Sequence, residues 1–258
     1  MTGDLEAALR ARRDGGGRAF VPYVTGGFPG VDAGLLRELE SCGADAIEVG
    51  IPFSDPVMDG GVIQEASRRA LEAGAGPTSI FATVAEAALE VPVVVMTYVN
   101  PVFGRGFDPF LDEAVRARVG GTIVPDLPVD EASEWGAACE RHGVANVLLA
   151  APGTSDDRLA RIGAASRGFV YCVATYGVTG AREHLAGTAE QLVRRLRPLT
   201  DLPLLIGVGV GSPEQAAEAA AFADGVIVGS ALMGRLVGGD RDGLLRLATA
   251  FRAVLPTA

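Results

Sequence analysis

A repeated unit of sequence restricts the folds open to this chain more than any other feature. Short runs of apolar, mostly β-branched residues recur along its 258 residues, and each precedes a longer segment with helical spacing of apolar residues. Strands that are apolar on successive residues are typical of a parallel sheet covered on both faces. Their alternation with helices predicts a series of βαβ units.

Eight of these runs are predicted as strands, at 19–25, 46–50, 91–98, 121–125, 145–149, 168–173, 202–206 and 225–228. Helices are predicted between them, with an additional amphipathic helix over residues 1–13. Eight such units predict an α/β protein with a single domain over 1–258, a (β/α)8 TIM barrel with an extra N-terminal helix. An open doubly wound sheet usually has fewer strands and a G-x-G-x-x-G first turn, which the segment 25–30 does not match.

Composition excludes several classes of chemistry. All 22 basic residues are Arg, so an enzyme that forms a lysine Schiff base, including one that depends on pyridoxal phosphate, is excluded. Only two His residues are present, without metal-ligand spacing, so we predict no metal site. The formal charge of -10 disfavours nucleic acid and anionic membrane as partners. Three scattered Cys residues and the lack of a long apolar run predict a cytoplasmic protein.

Two carboxylates lie close together around the second predicted strand. Glu48 is inside an apolar run, and Asp59 is in the Pro- and Gly-rich loop that follows. A charge in a strand core is costly unless it is paired or protonated, and two carboxyl groups in unlike environments can provide one acid and one base. Alternatively, Glu48 reaches solvent at the strand end, and Asp59 caps the helix that begins near Val62.

In a barrel of this type, the active site lies at the carboxyl ends of the strands. Several further polar residues fall at or near such ends, although packing in the core or at the rim is the alternative for each tyrosine taken singly. They are Tyr23, Tyr98, Asn100, Asp126 and Tyr171.

Glycine-rich loops follow three of the later strands, at 177–180, 207–212 and 229–230. The loops after strands seven and eight of a barrel, with a helix N-terminus, commonly bind phosphate through backbone N–H groups. The alternative is that these glycines only form tight turns. We predict a small phosphorylated substrate, cleaved or isomerised without a metal or a covalent amine.

The run 47–61, which contains Glu-Val-Gly-Ile-Pro-Phe-Ser-Asp-Pro and then Asp-Gly, resembles the signature of the tryptophan synthase alpha subunit family. Matching segments occur in the same order at 20–27, 100–101, 125–128, 177–180, 207–209 and 229–230. The resemblance spans nearly the whole chain, from Phe20 to about Leu236.

The resemblance implies cleavage of indole-3-glycerol phosphate to indole and glyceraldehyde 3-phosphate, a retro-aldol reaction of tryptophan biosynthesis that needs no cofactor. By the resemblance, Glu48 protonates the indole ring and Asp59 interacts with its N–H. It also implies substrate contacts from Tyr23, Tyr98, Tyr171 and Thr179, and phosphate binding by Gly180, Gly209, Gly229 and Ser230.

The resemblance further implies a partner, the tryptophan synthase beta subunit, in an alpha2-beta2 assembly. Met58, Gly61, Gly104 and the segment 174–176 depart from the common pattern in loops and at the partner surface. These departures leave open a stand-alone indole-3-glycerol phosphate lyase that supplies indole to specialised metabolism. A non-catalytic phosphate-binding barrel that serves as a partner's scaffold is the third possibility.

Overall fold

A closed barrel of eight parallel strands forms the centre of the molecule, in a computed structural model that describes residues 4–174 and 185–257. Each strand is hydrogen-bonded to its neighbours in the sequence, and β8 closes the ring onto β1. The strands are β1 (Ala19–Thr25), β2 (Ile47–Gly50), β3 (Val93–Met96), β4 (Val119–Ile123), β5 (Ala145–Ala150), β6 (Val170–Val173), β7 (Leu204–Gly207) and β8 (Gly225–Val228). The predicted TIM barrel is confirmed.

Twelve helices in the described part of the chain surround or extend the barrel. They are α1 (Leu5–Asp14), α2 (Ala33–Ser41), α3 (Gly61–Glu72), α4 (Pro77–Ala87), α5 (Val99–Arg105), α6 (Phe107–Arg116), α7 (Ser133–His142), α8 (Asp156–Ala165), α9 (Leu185–Leu196), α10 (Pro213–Ala220), α11 (Ser230–Val237) and α12 (Arg241–Val254). Among the described residues, none of these helices has the length and apolar character required to cross a membrane.

One helix, α5, is absent from the sequence-based prediction, which continued the third strand to Tyr98. The strand instead ends at Met96, and Tyr98 is the N-cap residue of α5. The backbone N–H of Val99 donates a hydrogen bond of 2.9 Å to the side chain of Asp126. Pro101 follows in the first turn, where a missing N–H costs the helix nothing. The cap comes from another loop, which explains why local sequence did not reveal it.

Helix α1 covers the amino end of the barrel. It corresponds to the N-terminal helix predicted from the sequence. Leu5 and Leu9 are each 1% exposed. A Cβ at Gly121 of β4 would lie 2.7 Å from a methyl carbon of Leu5, and one at Gly168 would lie 2.8 Å from it. Glycine at these positions therefore makes room for the Leu5 side chain at the amino end of the barrel.

Candidate active site

Glu48 lies in the interior of the barrel on β2, in register with Tyr23 of β1 and Val94 of β3. It is 1% exposed, and neither carboxylate oxygen has a hydrogen-bond partner among the described residues. Burial, and secondarily the negative charge of Asp59, raises the pKa of Glu48 to about 8. The carboxyl group therefore holds a proton at neutral pH, and the alternative in which it reaches solvent is wrong.

Asp59 occupies a more polar position in the loop between β2 and α3. The Tyr98 hydroxyl donates a hydrogen bond of 3.1 Å to Asp59 Oδ2 and accepts one of 3.0 Å from the Met58 N–H. Burial raises the pKa of Asp59 to about 6, and the Tyr98 hydrogen bond acts in the opposite direction. Near neutral pH, Asp59 is therefore mainly a carboxylate while Glu48 is mainly an acid.

The alternative role of Asp59 as a helix cap is also wrong. The N-cap of α3 is Gly60, which provides no side-chain hydrogen bond. Asp59 contributes to this region through its backbone carbonyl, which accepts a hydrogen bond of 2.9 Å from Gln64 Nε2. Its side chain is left to face Tyr98, whose ring stacks on Phe53 with 5.2 Å between the ring centroids.

Two of the predicted tyrosines lie against glycines of neighbouring strands. A Cβ at Gly50 would lie 2.1 Å from the Tyr23 hydroxyl oxygen, and a Cβ at Gly207 would lie 2.1 Å from that of Tyr171. Both glycines end their strands. The sequence analysis placed Gly207 in a predicted phosphate loop and Gly50 in the signature segment, but it did not identify either one as the position against which a tyrosine packs. A usable signal was present, because Gly50 lies two residues after Glu48 and so faces the same side of β2.

All three described tyrosines are buried and keep their protons. Tyr23 is 7% exposed, Tyr98 is 4% exposed and Tyr171 is 5% exposed. Burial is the largest cause that raises the pKa of each hydroxyl above its usual value of 10, and the negative charge of Asp59 adds to it. The tyrosines can therefore donate hydrogen bonds in this interior, but they cannot serve as bases near neutral pH.

Asn100 and Asp126, the other polar residues predicted near strand ends, occupy less central positions. Asp126 accepts the Val99 N–H and thereby fixes the start of α5. Asn100 is an exposed residue of that same helix. Their positions point to a structural role for Asp126, and neither side chain is hydrogen-bonded to Glu48 or Asp59.

The predicted phosphate residues that the structure describes, Gly209, Gly229 and Ser230, follow β7 and β8 at the carboxyl end of the barrel. Gly209 follows β7 with a φ of +101°, a conformation that side chains rarely adopt. Gly229 caps α11, and Ser230 is its first residue. The first N–H groups of a helix have no intrahelical acceptor and can bind an anion. Thr179 and Gly180 lie outside the described residues.

The neighbouring helix α10 shows a contrasting arrangement. Its N-cap Ser212 accepts a hydrogen bond of 3.4 Å from the Gln215 N–H, and the Gln215 side chain accepts one of 2.7 Å from the Gly211 N–H. These donors are already used inside the loop. The start of α11 has no side-chain cap, which makes it the better location for a phosphate.

Comparison with known proteins places this arrangement in a family. The family model described as tryptophan synthase alpha chain matches residues 9–248. The alpha chain of Streptomyces avermitilis is 47% identical over 233 residues, which cover 89% of this chain and 84% of that protein. The alpha chain of Mycobacterium avium is 44% identical over 252 residues, which cover 96% and 93% respectively.

Solved structures agree with the sequence relatives. A tryptophan synthase structure from Mycobacterium tuberculosis has a TM-score of 0.89 and 40% identity, and the match covers 97% of each chain. The tryptophan synthase alpha subunit of Legionella pneumophila also has a TM-score of 0.89, with 32% identity and 97% of each chain covered. The chain therefore belongs to the tryptophan synthase alpha chain family, whose members are lyases that cleave indole-3-glycerol phosphate.

Proposed function

We propose that this chain cleaves indole-3-glycerol phosphate to indole and glyceraldehyde 3-phosphate in tryptophan biosynthesis, as the alpha subunit of tryptophan synthase. The observation that carries this proposal is Glu48, a carboxyl group buried without a hydrogen-bond partner among the described residues. Such a group is costly to the fold and is consistent with a catalytic acid. Asp59, the second carboxyl group, lies in the loop after β2, at the end of the barrel opposite α1.

The protonation states of the two carboxyl groups suit a retro-aldol reaction. Protonated Glu48 donates its proton to C3 of the indole ring, while the Asp59 carboxylate accepts the hydrogen bond of the ring N–H. The bond between C3 and the carbinol carbon then breaks, and its electrons return to the ring. The carbinol hydroxyl loses its proton to Glu48 as the aldehyde forms, which restores the starting acid.

The remaining predicted residues would hold the substrate around this pair. Tyr23, Tyr98 and Tyr171 would line the indole pocket, and their protonated hydroxyl groups can act as donors. The phosphate would bind at the start of α11 and in the loop after β7. Its proposed ligands are Gly180, Gly209, Gly229 and Ser230.

Three exposed apolar side chains at the carboxyl end of the barrel support a protein partner. Val57 is 80% exposed, Phe103 is 61% exposed and Met58 is 53% exposed. Val57 and Met58 lie in the loop after β2, and Phe103 lies in α5 after β3, so they come from adjacent strands. Exposed apolar groups concentrated at one face mark interaction sites. These exposed side chains therefore favour association with a beta subunit over the stand-alone lyase.

Indole release by the purified chain tests the function and its alternatives together. The assay would be run with indole-3-glycerol phosphate alone, and then with a tryptophan synthase beta subunit and serine. Slow cleavage that the partner strongly accelerates is the expected result. Fast cleavage that is indifferent to the partner would instead identify a stand-alone lyase. No cleavage in either condition would support the non-catalytic scaffold.

We also propose a cytoplasmic location. Cys42, Cys139 and Cys172 are all free, and the latter two are buried, Cys139 on α7 and Cys172 on β6. Burial raises the pKa of the Cys139 thiol to about 12. Unpaired thiols are typical of proteins in a reducing compartment.

A further inference from the structure

Two buried hydroxyl groups on β1, those of Tyr23 and Thr25, form a pair at the centre of the candidate site. Their oxygen atoms are 3.3 Å apart, and either hydroxyl can be the donor. The two side chains lie on the same face of β1 because they are two positions apart on one strand. The backbone register places Tyr23 beside Glu48 and Thr25 beside Gly50. The pair therefore lies along the strand adjacent to the one that carries the proposed acid.

Contacts with α11, the helix proposed to bind phosphate, hold the Tyr23–Thr25 pair in place. Strand β1 pairs with β8 only as far as Pro22 and Val228, so Thr25 has no paired residue in β8. The Thr25 N–H instead donates a hydrogen bond of 3.4 Å to the sulfur of Met233, a fully buried residue of α11. A Cβ at Gly229 would lie 3.2 Å from the Tyr23 ring. The helix that would bind phosphate is thus in contact with both members of the pair.

A count of hydroxyl protons shows that the Tyr23–Thr25 pair can donate one further hydrogen bond. Two hydroxyl groups carry two protons, and their mutual hydrogen bond uses one of them. The second proton has no acceptor among the hydrogen bonds of the described residues, whereas both oxygens of Glu48 lack a donor. A carboxylate formed in this dry interior would be strongly stabilised by such a donor.

The other polar groups around Glu48 are less well placed to supply that hydrogen bond. Asp59 is itself an acceptor, and the Tyr98 hydroxyl already donates to it. The Tyr171 hydroxyl lies against Gly207 on β7, three strands away from β2 around the barrel. Tyr23 is on the strand next to Glu48 and in register with it. The charge of Glu48 adds to burial in raising the pKa of both the Tyr171 and the Tyr23 hydroxyl, so the adjacency of the strands is what distinguishes Tyr23 from Tyr171. The Tyr23–Thr25 pair is the donor that the topology favours.

We infer that the Tyr23–Thr25 hydroxyl pair positions Glu48 and donates a hydrogen bond to its carboxylate once the proton has passed to the substrate. This inference rests on the proposed function, since it assigns a role relative to Glu48 as the acid. Thr25 is fully buried and would act through Tyr23, so it is a positioning residue. The hydrogen bond would stabilise the charged state in which the carbon–carbon bond breaks.

Replacement of Thr25 gives the sharpest test, because Tyr23 would also touch the indole ring. In Thr25→Val, the hydroxyl is lost at nearly constant volume and kcat should fall about tenfold, with KM changed by less than about twofold. The alkaline limb of the kcat/KM profile should move to higher pH by about one unit, because the charged form of Glu48 loses its donor. Thr25→Ser keeps a hydroxyl and should restore most of both properties.

Two further variants separate this role from loss of packing. Thr122→Val removes another fully buried strand hydroxyl, one that contacts Cys139 away from the site. It should leave kcat and the alkaline limb unchanged. The double variant Tyr23→Phe with Thr25→Val should be no slower than the slower single variant, because residues that act as one unit are not additive.

The outcomes distinguish this inference from the proposed function. Thr25→Val with an unmoved alkaline limb, or with the same behaviour as Thr122→Val, would overturn the positioning role. If Glu48→Gln were inactive in the same series, the proposed function would survive that result. If Glu48→Gln released indole normally, the proposed function itself would fail, whatever Thr25→Val did.

Discussion

The two carboxyl groups of the candidate site stand in different kinds of structure. Glu48 is fixed in a strand and fully buried, with no hydrogen-bond donor among the described residues. Asp59 lies in a partly exposed loop, and the Tyr98 hydroxyl donates to it. Burial raises the pKa of both, to about 8 for Glu48 and about 6 for Asp59. The same functional group thus becomes an acid in the strand and a carboxylate in the loop at one neutral pH.

The largest effect should come from removal of the strand acid. Glu48→Gln keeps the shape of the side chain but removes its transferable proton, so kcat should fall about 10³-fold. Indole release at saturating substrate measures this loss. Glu86→Gln, at an exposed position on α4, is the matched control and should have normal activity. A normal rate for Glu48→Gln would end the assignment of Glu48 as the acid.

Glu48→Gln, which should lower activity, should raise the thermal stability of the chain at alkaline pH. Because the pKa of Glu48 is raised in the fold from 4.5 to about 8, its protonated form favours folding and that contribution is lost as pH rises through about 8. Glu48→Gln removes the charged state, so it should unfold at a higher temperature than the parent chain at about pH 9. The difference should nearly vanish at about pH 4, and thermal unfolding at both pH values checks it.

Loss of the loop carboxylate should have a smaller effect on activity. Asp59→Asn can still contact the ring N–H but cannot carry the negative charge that promotes protonation of C3, so kcat should fall about 10²-fold. Asp157→Asn, at an exposed position on α8, is the corresponding control. If Asp59→Asn lost as much activity as Glu48→Gln, the two carboxyl groups could not be assigned separate roles.

The pH dependence of kcat/KM in the unmutated chain tests whether Glu48 and Asp59 differ in protonation state. The active form contains charged Asp59 and protonated Glu48, so kcat/KM should fall below about pH 6 and above about pH 8. Beyond each limit, the loss should be about tenfold per pH unit. The two apparent values belong to the interacting pair. A profile that is flat from about pH 5 to about pH 9 would contradict the assignment.

The smallest effect should follow loss of the Tyr98 hydroxyl. Tyr98→Phe removes the donor that stabilises charged Asp59, so the pKa of Asp59 should rise and the acid limb should move to higher pH. At neutral pH, kcat/KM should fall roughly fivefold. The alkaline limb should stay in place, because Tyr98 is not hydrogen-bonded to Glu48. Movement of both limbs together would show that the two environments are not independent.

Much of this contrast could be predicted from the sequence. The apolar neighbours of Glu48 indicated a buried carboxyl group, and Pro56 and Gly60 indicated that Asp59 lies in a loop. The signal is local in both cases, because strand and turn preferences depend on residues close together in the chain. The glycine loops after β7 and β8 were recognised for the same reason.

The partners of these groups could not be predicted in this way. Tyr98 meets Asp59 across 39 residues of chain, and the ring of Tyr23 meets Gly50 only because β1 and β2 pair in one register. A shift of one residue would turn these side chains to the other face of the sheet. Contacts of this kind depend on register and barrel closure, which no local pattern in the sequence records.

The sequence alone thus determined the repeated βα unit, the absence of lysine chemistry and the presence of two carboxyl groups in unlike segments. Only the tertiary structure decided that one carboxyl group has no donor while the other has Tyr98. It also decided that the Tyr23–Thr25 pair lies beside Glu48. The physical reason is that pKa values follow burial and hydrogen-bond partners, and both are properties of the folded interior.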